Sequence, residues 1–170
     1  MKKMAVQTFL KEMEGRIERL KPVRSAYVHS YGINSSEDAA KRIMEWASMN
    51  ELFGKSEVRL FGRYTYPVDK AHPHGYECFL TVGNHKEQCT GVETRELPAG
   101  SYAVLRFRDP RNINFAWKKL WDWIEENGYE YVGWKKAEHG WVNGFEEHVN
   151  WQDQKPPTEW LFDLWVAIKE

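Results

Sequence analysis

Apolar positions along this chain switch between two spacings, and the switch recurs. Ser25 to Tyr31 (SAYVHSY) alternates at period 2, the spacing of a half-buried strand. In Ser35 to Leu52 the apolar residues Ala39, Ala40, Ile43, Trp46 and Ala47 fall on one face of a 3.6-residue helix, with Ser35 as the expected N-cap and Asp38 three residues on. That helix should stop near Gly54, and strands follow at Glu57 to Pro67 and Tyr76 to Val82. The order then returns. Ser101 to Phe107 reads as a strand and Asn112 to Asn127 as a helix, with Asn112 as cap, Ile113, Ala116, Trp117, Leu120 and Ile124 as its stripe, and Gly128 as its stop. Phe145 to Trp151 and Trp160 to Ile168 complete the set as strands.

The pattern predicts an α+β fold of tandem pseudo-symmetric β-α-β-β units with antiparallel sheets, two helices covering one face and a ligand cleft on the other. Period 2 assigns the faces. Cys78, Leu80 and Val82, with Leu164, Val166 and Ile168, go under the helices; Glu77, Phe79 and Thr81, with Asp163, Trp165 and Ala167, go opposite. Tyr27, His29 and Tyr31 join that mixed face, while Ala103, Leu105 and Phe107 turn away from Tyr102 and Val104. Carboxylates among large rings suit a partly polar cleft better than a surface in water, and the cleft is expected where the two copies meet. Ahead of the repeats, Val6, Phe9, Leu10, Met13, Ile17 and Leu20 keep helical spacing up to Pro22, so an N-terminal helix is expected over 1–22 and the main domain over 23–170. The stretch between Trp134 and Gly144 has no strong period and reads as a loop or flap over the cleft.

At 170 residues the chain is one domain with a substantial core. Lys plus Arg is 24 against 25 for Asp plus Glu, so there is no bulk positive field for a phosphate backbone and direct nucleic-acid binding is not expected. No run approaches the ~20 apolar residues of a membrane span, and no apolar signal run follows the N-terminal lysines; neither a membrane partner nor export is expected, and a cytoplasmic location is. Cys78 and Cys89 have no partner spacing, so no structural disulfide is expected. The 9 Trp, 8 Tyr and 8 Phe exceed what a core of this size needs; generous packing with Trp at helix rims is one reading, and rings lining a ligand cavity is the other.

Chemistry concentrates in FEEHV. Alternation puts Glu146 and His148 on one side and Phe145, Glu147 and Val149 on the other; with the apolar members in the core, Glu146 looks into the cleft. A carboxylate among rings either meets a positive charge or moves a proton. A strand carboxylate in water is the plainer alternative, and Glu147, facing the core, needs a partner. His148 reads as a proton carrier, a metal ligand or a polar wall residue, and a lone His is usually the last of these. The remaining histidines are scattered with no zinc-type ligand set, and there is no phosphate loop or serine elbow, so no metal and no cofactor are expected.

Three stretches, FGRYTYP (Phe61 to Pro67), ELPAGSYAVLRFRDP (Glu96 to Pro110) and FEEHVNWQDQKPPTEWLFDLWVAI (Phe145 to Ile168), make the chain resemble the GyrI-like small-molecule-binding domain, also called the AraC-type or transcription-activator effector-binding domain, over roughly Val23 to Lys169. The resemblance implies two β-α-β-β units around a cleft that takes bulky hydrophobic, often cationic aromatic compounds. It carries the family's pocket Glu onto Glu146, the later acid onto Asp163 and the aromatic beyond it onto Trp165; His148 stands where Tyr is usual, and Glu147 replaces an apolar residue. The expected ligand-binding set is Glu146, His148, Asp163, Trp165, Tyr31, Phe61, Phe79 and Phe107. Many members sit behind a helix-turn-helix, which is not seen in this sequence, so a stand-alone form is expected. Three functions stay open: a drug or toxin binder, a hydrolase of cyclopropane-containing or other electrophilic cytotoxins with Glu146 and His148 as catalytic groups, and a module that contacts gyrase or a regulator.

Overall fold

A computed structural model describes residues 13–65, 71–86, 91–132 and 144–169. They form eight strands and two α-helices: β1 (Gly15–Leu20), β2 (Val23–Gly32), α1 (Ser35–Met49), β3 (Leu60–Thr65), β4 (His74–Thr81), β5 (Glu93–Leu97), β6 (Gly100–Arg108), α2 (Ile113–Glu126), β7 (Gly144–His148) and β8 (Leu161–Ala167). The chain divides into two compact units. Unit 1 comprises 1–20, 100–132 and 146–170, and unit 2 comprises 21–99 and 133–145, with the boundary inside β7.

In unit 1 the strand order is β1-β6-β8-β7. The antiparallel register sets Arg16 opposite Val104 and Val104 opposite Trp165, with Glu18, Tyr102 and Ala167 in the next row and Arg106 opposite Asp163. Alternation leaves Gly15, Leu105 and Leu164 on the other face, and there α2 packs, its Trp123 lying directly over Gly15. The buried stripe of α2 is Ala116, Trp117, Leu120, Trp121 and Ile124.

In unit 2 the order is β3-β4-β2-β5. All eight residues of β4 are buried. Val28 pairs with Cys78 and Ala26 with Leu80 on the side that α1 covers, and Arg42 of α1 donates to the Ser30 hydroxyl at 3.2 Å. Tyr27, Phe61 and Phe79 share one row on the opposite side, followed by His29, Arg63 and Glu77. Each unit thus contains a strand-helix-strand-strand sequence whose third, fourth and first members lie side by side in that order.

Three expectations are corrected. The helical pattern expected over 1–22 gives way to β1 at Gly15–Leu20, while 1–12 lie outside the described residues. The cause is tertiary: β6 presents an edge of backbone N–H and C=O groups, and the segment satisfies six residues of it. A second added strand, β5, pairs with Val23 to Tyr27. The helix caps also differ. Neither Asn34, which holds the N-cap position of α1, nor Asn112 makes a side-chain cap, and the Ser35 side chain is buried. The helices resemble each other at their ends instead: Asn50 Nδ2 donates to the Trp46 carbonyl and Asn127 Nδ2 to the Trp123 carbonyl, at 2.9 and 2.8 Å. Cys78 is a buried thiol; Cys89 and most of the expected flap between Trp134 and Gly144 lie outside the described residues.

Candidate functional site

The face of unit 1 away from α2 carries the densest mixture of acid, base and ring. Trp165 and Tyr102 meet edge to face, with ring centres 5.6 Å apart at 75°. The Trp165 indole N–H donates at 3.1 Å to Oε2 of Glu147, which is only 5 % exposed. Glu147 is delivered to this face because β7 lies beside β8, tied by the Val149 N–H to the Leu161 carbonyl at 2.8 Å and by Asn150, whose Oδ1 accepts from the Leu161 N–H at 2.7 Å.

Two residues before Trp165 on the same face, Asp163 is 2 % exposed and accepts three guanidinium N–H groups. Arg106 forks onto it through Nε and Nη2, both at 2.8 Å, and Arg16 adds Nη2 at 2.9 Å. A planar guanidinium matches a carboxylate in this two-bond geometry, which holds the charge in a site with little water. Asp163 is therefore committed to arginine.

Unit 2 repeats that commitment. Glu77 is buried and bonded by Arg63 and by the Tyr27 hydroxyl at 2.6 Å. Burial, reinforced by the Glu77 carboxylate, raises the Tyr27 phenol well above its ordinary range. Arg63 lies over the Phe145 ring at 4.7 Å and Arg95 over the Tyr27 ring at 3.8 Å, while Phe145 meets Phe79 and Phe61 edge to face at 5.7 and 6.3 Å.

These contacts revise the orientation of FEEHV. Phe145 packs on Phe79, the ring assigned from sequence to the mixed face, and Glu147 bonds Trp165; alternation then turns Glu146 and His148 to the other side. The sequence argument took Phe145 for the residue marking the helix-covered core, whereas rings fill both sides of the sheet. His148 stacks on Phe162 at 4.8 Å and 22°, and Phe162 stacks on Phe107 at 5.4 Å and 18°. Burial lowers the imidazole pKa to about 4, against smaller opposing contributions from Asn150 and Asp153, and its Nε2 has no hydrogen-bond partner among the described residues.

The remaining expected positions divide between the units. Phe107 is fully buried on the α2 side with Leu105, so it belongs to that core. Phe61 and Phe79 are buried on the Tyr27 side of unit 2. Tyr31 is 72 % exposed and borders a polar groove of about 490 Å³ with His29, Ser30, Asp38, Lys41, Arg42 and Glu45. Glu147 and the arginines Arg16, Arg106 and Arg63 were missed as site members. Arg63 and Arg106 show their acid partners only through cross-strand register, and Arg16 was counted as part of a helix. Among the described residues no group of His, Cys, Asp and Glu is placed to hold a metal ion, and no helix is long and apolar enough to cross a membrane.

The sheet order with its two covering helices and the buried acids among rings agree with a family comparison: the GyrI-like small molecule binding domain matches residues 13–169, and the chain belongs to that family. Among solved structures, EcmrR in an EcmrR–DNA complex is similar over 99 % of this chain (TM-score 0.69, 13 % identity); this chain spans 63 % of that one. A Listeria innocua protein described as a hydrolase covers 99 % of this chain and 98 % of its own (TM-score 0.68, 9 % identity). SAV2435 bound to tetraphenylphosphonium covers 92 % and 94 % (TM-score 0.55, 12 % identity). At these identities the likeness is one of fold. No curated protein matches.

Proposed function

We propose that this small-molecule-binding domain takes a flat hydrophobic aromatic compound against Trp165 and Tyr102, with Glu147 as the carboxylate that meets a positive charge on it. One observation carries the reading: a carboxylate 5 % exposed is held at the edge of a large ring by that ring's indole N–H. A buried acid attracts a cation more strongly than one in water, and each ring contact to a cation adds about 0.5 to 2 kcal/mol. Trp165 is 4 % exposed, so an arriving ligand parts the packing over it. The hydrolase reading uses Glu146 and His148, which alternation turns to the side of β7 away from Trp165, where His148 stacks on Phe162.

Titration with rhodamine 6G, a flat cationic dye, read by tryptophan emission, tests this. Glu147→Gln should weaken binding about tenfold, the scale of one charge-assisted contact, while Glu146→Gln should leave it within twofold. Equal affinity of Glu147→Gln and the parent would remove the carboxylate from recognition, and loss in Glu146→Gln alone would return the role to that residue.

A further inference from the structure

The geometry points to a peptide site in unit 2, where an extended segment of another protein adds a strand to the uncovered edge of β2. β5 pairs with β2 only from Val23 to Tyr27, whereas β2 runs on to Gly32. Where β5 stops, exposure starts: Tyr27 and Val28 are buried, and His29 and Tyr31 are exposed. The ladder fixes the direction of the backbone groups. The Arg24 carbonyl accepts from the Val82 N–H on the β4 side at 2.9 Å, so Ala26, Val28 and Ser30 also bond toward β4, and His29 and Tyr31 turn their N–H and C=O the other way. On that side the His29 carbonyl accepts from Arg42 Nη1 at 2.9 Å. The His29 N–H and both backbone groups of Tyr31 have no partner among the described residues. Such an edge is a template for one more strand.

The wall beside this edge selects the segment. The groove of about 490 Å³ lies between His29, Ser30 and Tyr31 on β2 and Asp38, Lys41, Arg42 and Glu45 on α1. At 1.5 Å per helical residue the α1 wall presents an acid, two bases and an acid at steps of about 5 Å, close to the ~6.6 Å between alternate side chains of a strand. Lys41 and Glu45 pair at 3.9 Å with both side chains mostly in water, a contact that exchanges readily. Arg42 holds two uncharged oxygens, the His29 carbonyl and, at 3.2 Å, the Ser30 hydroxyl. The complementary segment therefore reads base-x-acid-x-base, with its acid against Lys41 and Arg42 and its bases toward Asp38 and Glu45. The x residues lie opposite His29 and Tyr31 and exchange backbone hydrogen bonds with them. Their side chains turn to the face away from α1, where β-branched groups pack beside the Tyr31 ring, 72 % exposed without them. On docking, a peptide N–H takes over the His29 carbonyl and Arg42 moves to the acid; until then Arg42 shields the edge.

The fluorescein-labelled peptide TKVEVKT, read by anisotropy at low salt, tests the proposal beside two altered forms. One is TEVKVET, with the charges reversed; the other is TKVEVKT N-methylated at both valine amides, which keeps the charges and loses the strand donors. The parent protein should bind TKVEVKT, and each alteration should weaken binding about tenfold. Arg42→Glu should cancel the preference for the acid-centred form. Tyr31→Pro, which deletes an edge N–H on the side away from β4, should weaken TKVEVKT about fivefold, with matching melting curves verifying the fold. The N-methylated peptide makes the same test without altering the protein. No binding by the parent at millimolar peptide, or equal binding of the N-methylated form, overturns the strand site. Equal binding of TEVKVET overturns the charge-matched segment.

Discussion

His148 shows how a titratable residue becomes a packing residue. Stacked on Phe162 and pressed toward Trp160, its ring loses hydration, and the charged form is disfavoured until pH falls to about 4. The unfolded chain binds that proton near pH 6.5, so the penalty is absent above 6.5, grows as pH falls below it, and is complete below about 4. Parent and His148→Phe melting temperatures, compared from pH 7.5 to 4, should diverge: the parent loses more stability on acidification, because Phe keeps the stack and has nothing to protonate. Parallel curves would show that the imidazole carries no such penalty. Asp163 presents the opposite case, a buried carboxylate bonded by two arginines, and the two cases together explain why a residue's type on a strand does not disclose its role.

Among the elements, β1 depends on one residue without a side chain. A Cβ on Gly15 would overlap the Trp123 indole, so the strand can lie under α2 only with glycine there. Gly15→Ala should lower stability by about 2 kcal/mol, the scale of overpacking a core site, seen as a lower urea midpoint. Trp123→Leu in the same chain should recover part of that loss. An unchanged midpoint in Gly15→Ala would mean that β1 and α2 do not pack this closely in solution. The same contact explains the misread N-terminus: Met13, Ile17 and Leu20 fit helical spacing, but a glycine inside the run weakens a helix and suits a strand beneath a large ring.

For the whole molecule, each unit has interior strands and an added outer strand, β1 in one and β5 in the other. Amide exchange should be slowest in β4, β6 and β8, whose hydrogen bonds are flanked by other strands and largely buried, and faster in β5, where four of five residues are exposed. Protection of β5 equal to that of β4 would contradict the strand order. Periodicity alone determined the two helices, six of the eight strands and the apolar face beneath each helix, because alternation and helical spacing are local properties of the chain. It also placed Trp165 and Asp163 on one face. Tertiary structure decided the rest: β1 and β5 formed where neighbouring edges needed partners, Asp163 and Glu77 were claimed by arginines distant in sequence, and Glu147 rather than Glu146 was turned to Trp165. Those outcomes depend on which strand lies beside which. A period of two gives two faces and cannot say which of them a neighbouring strand fills with rings.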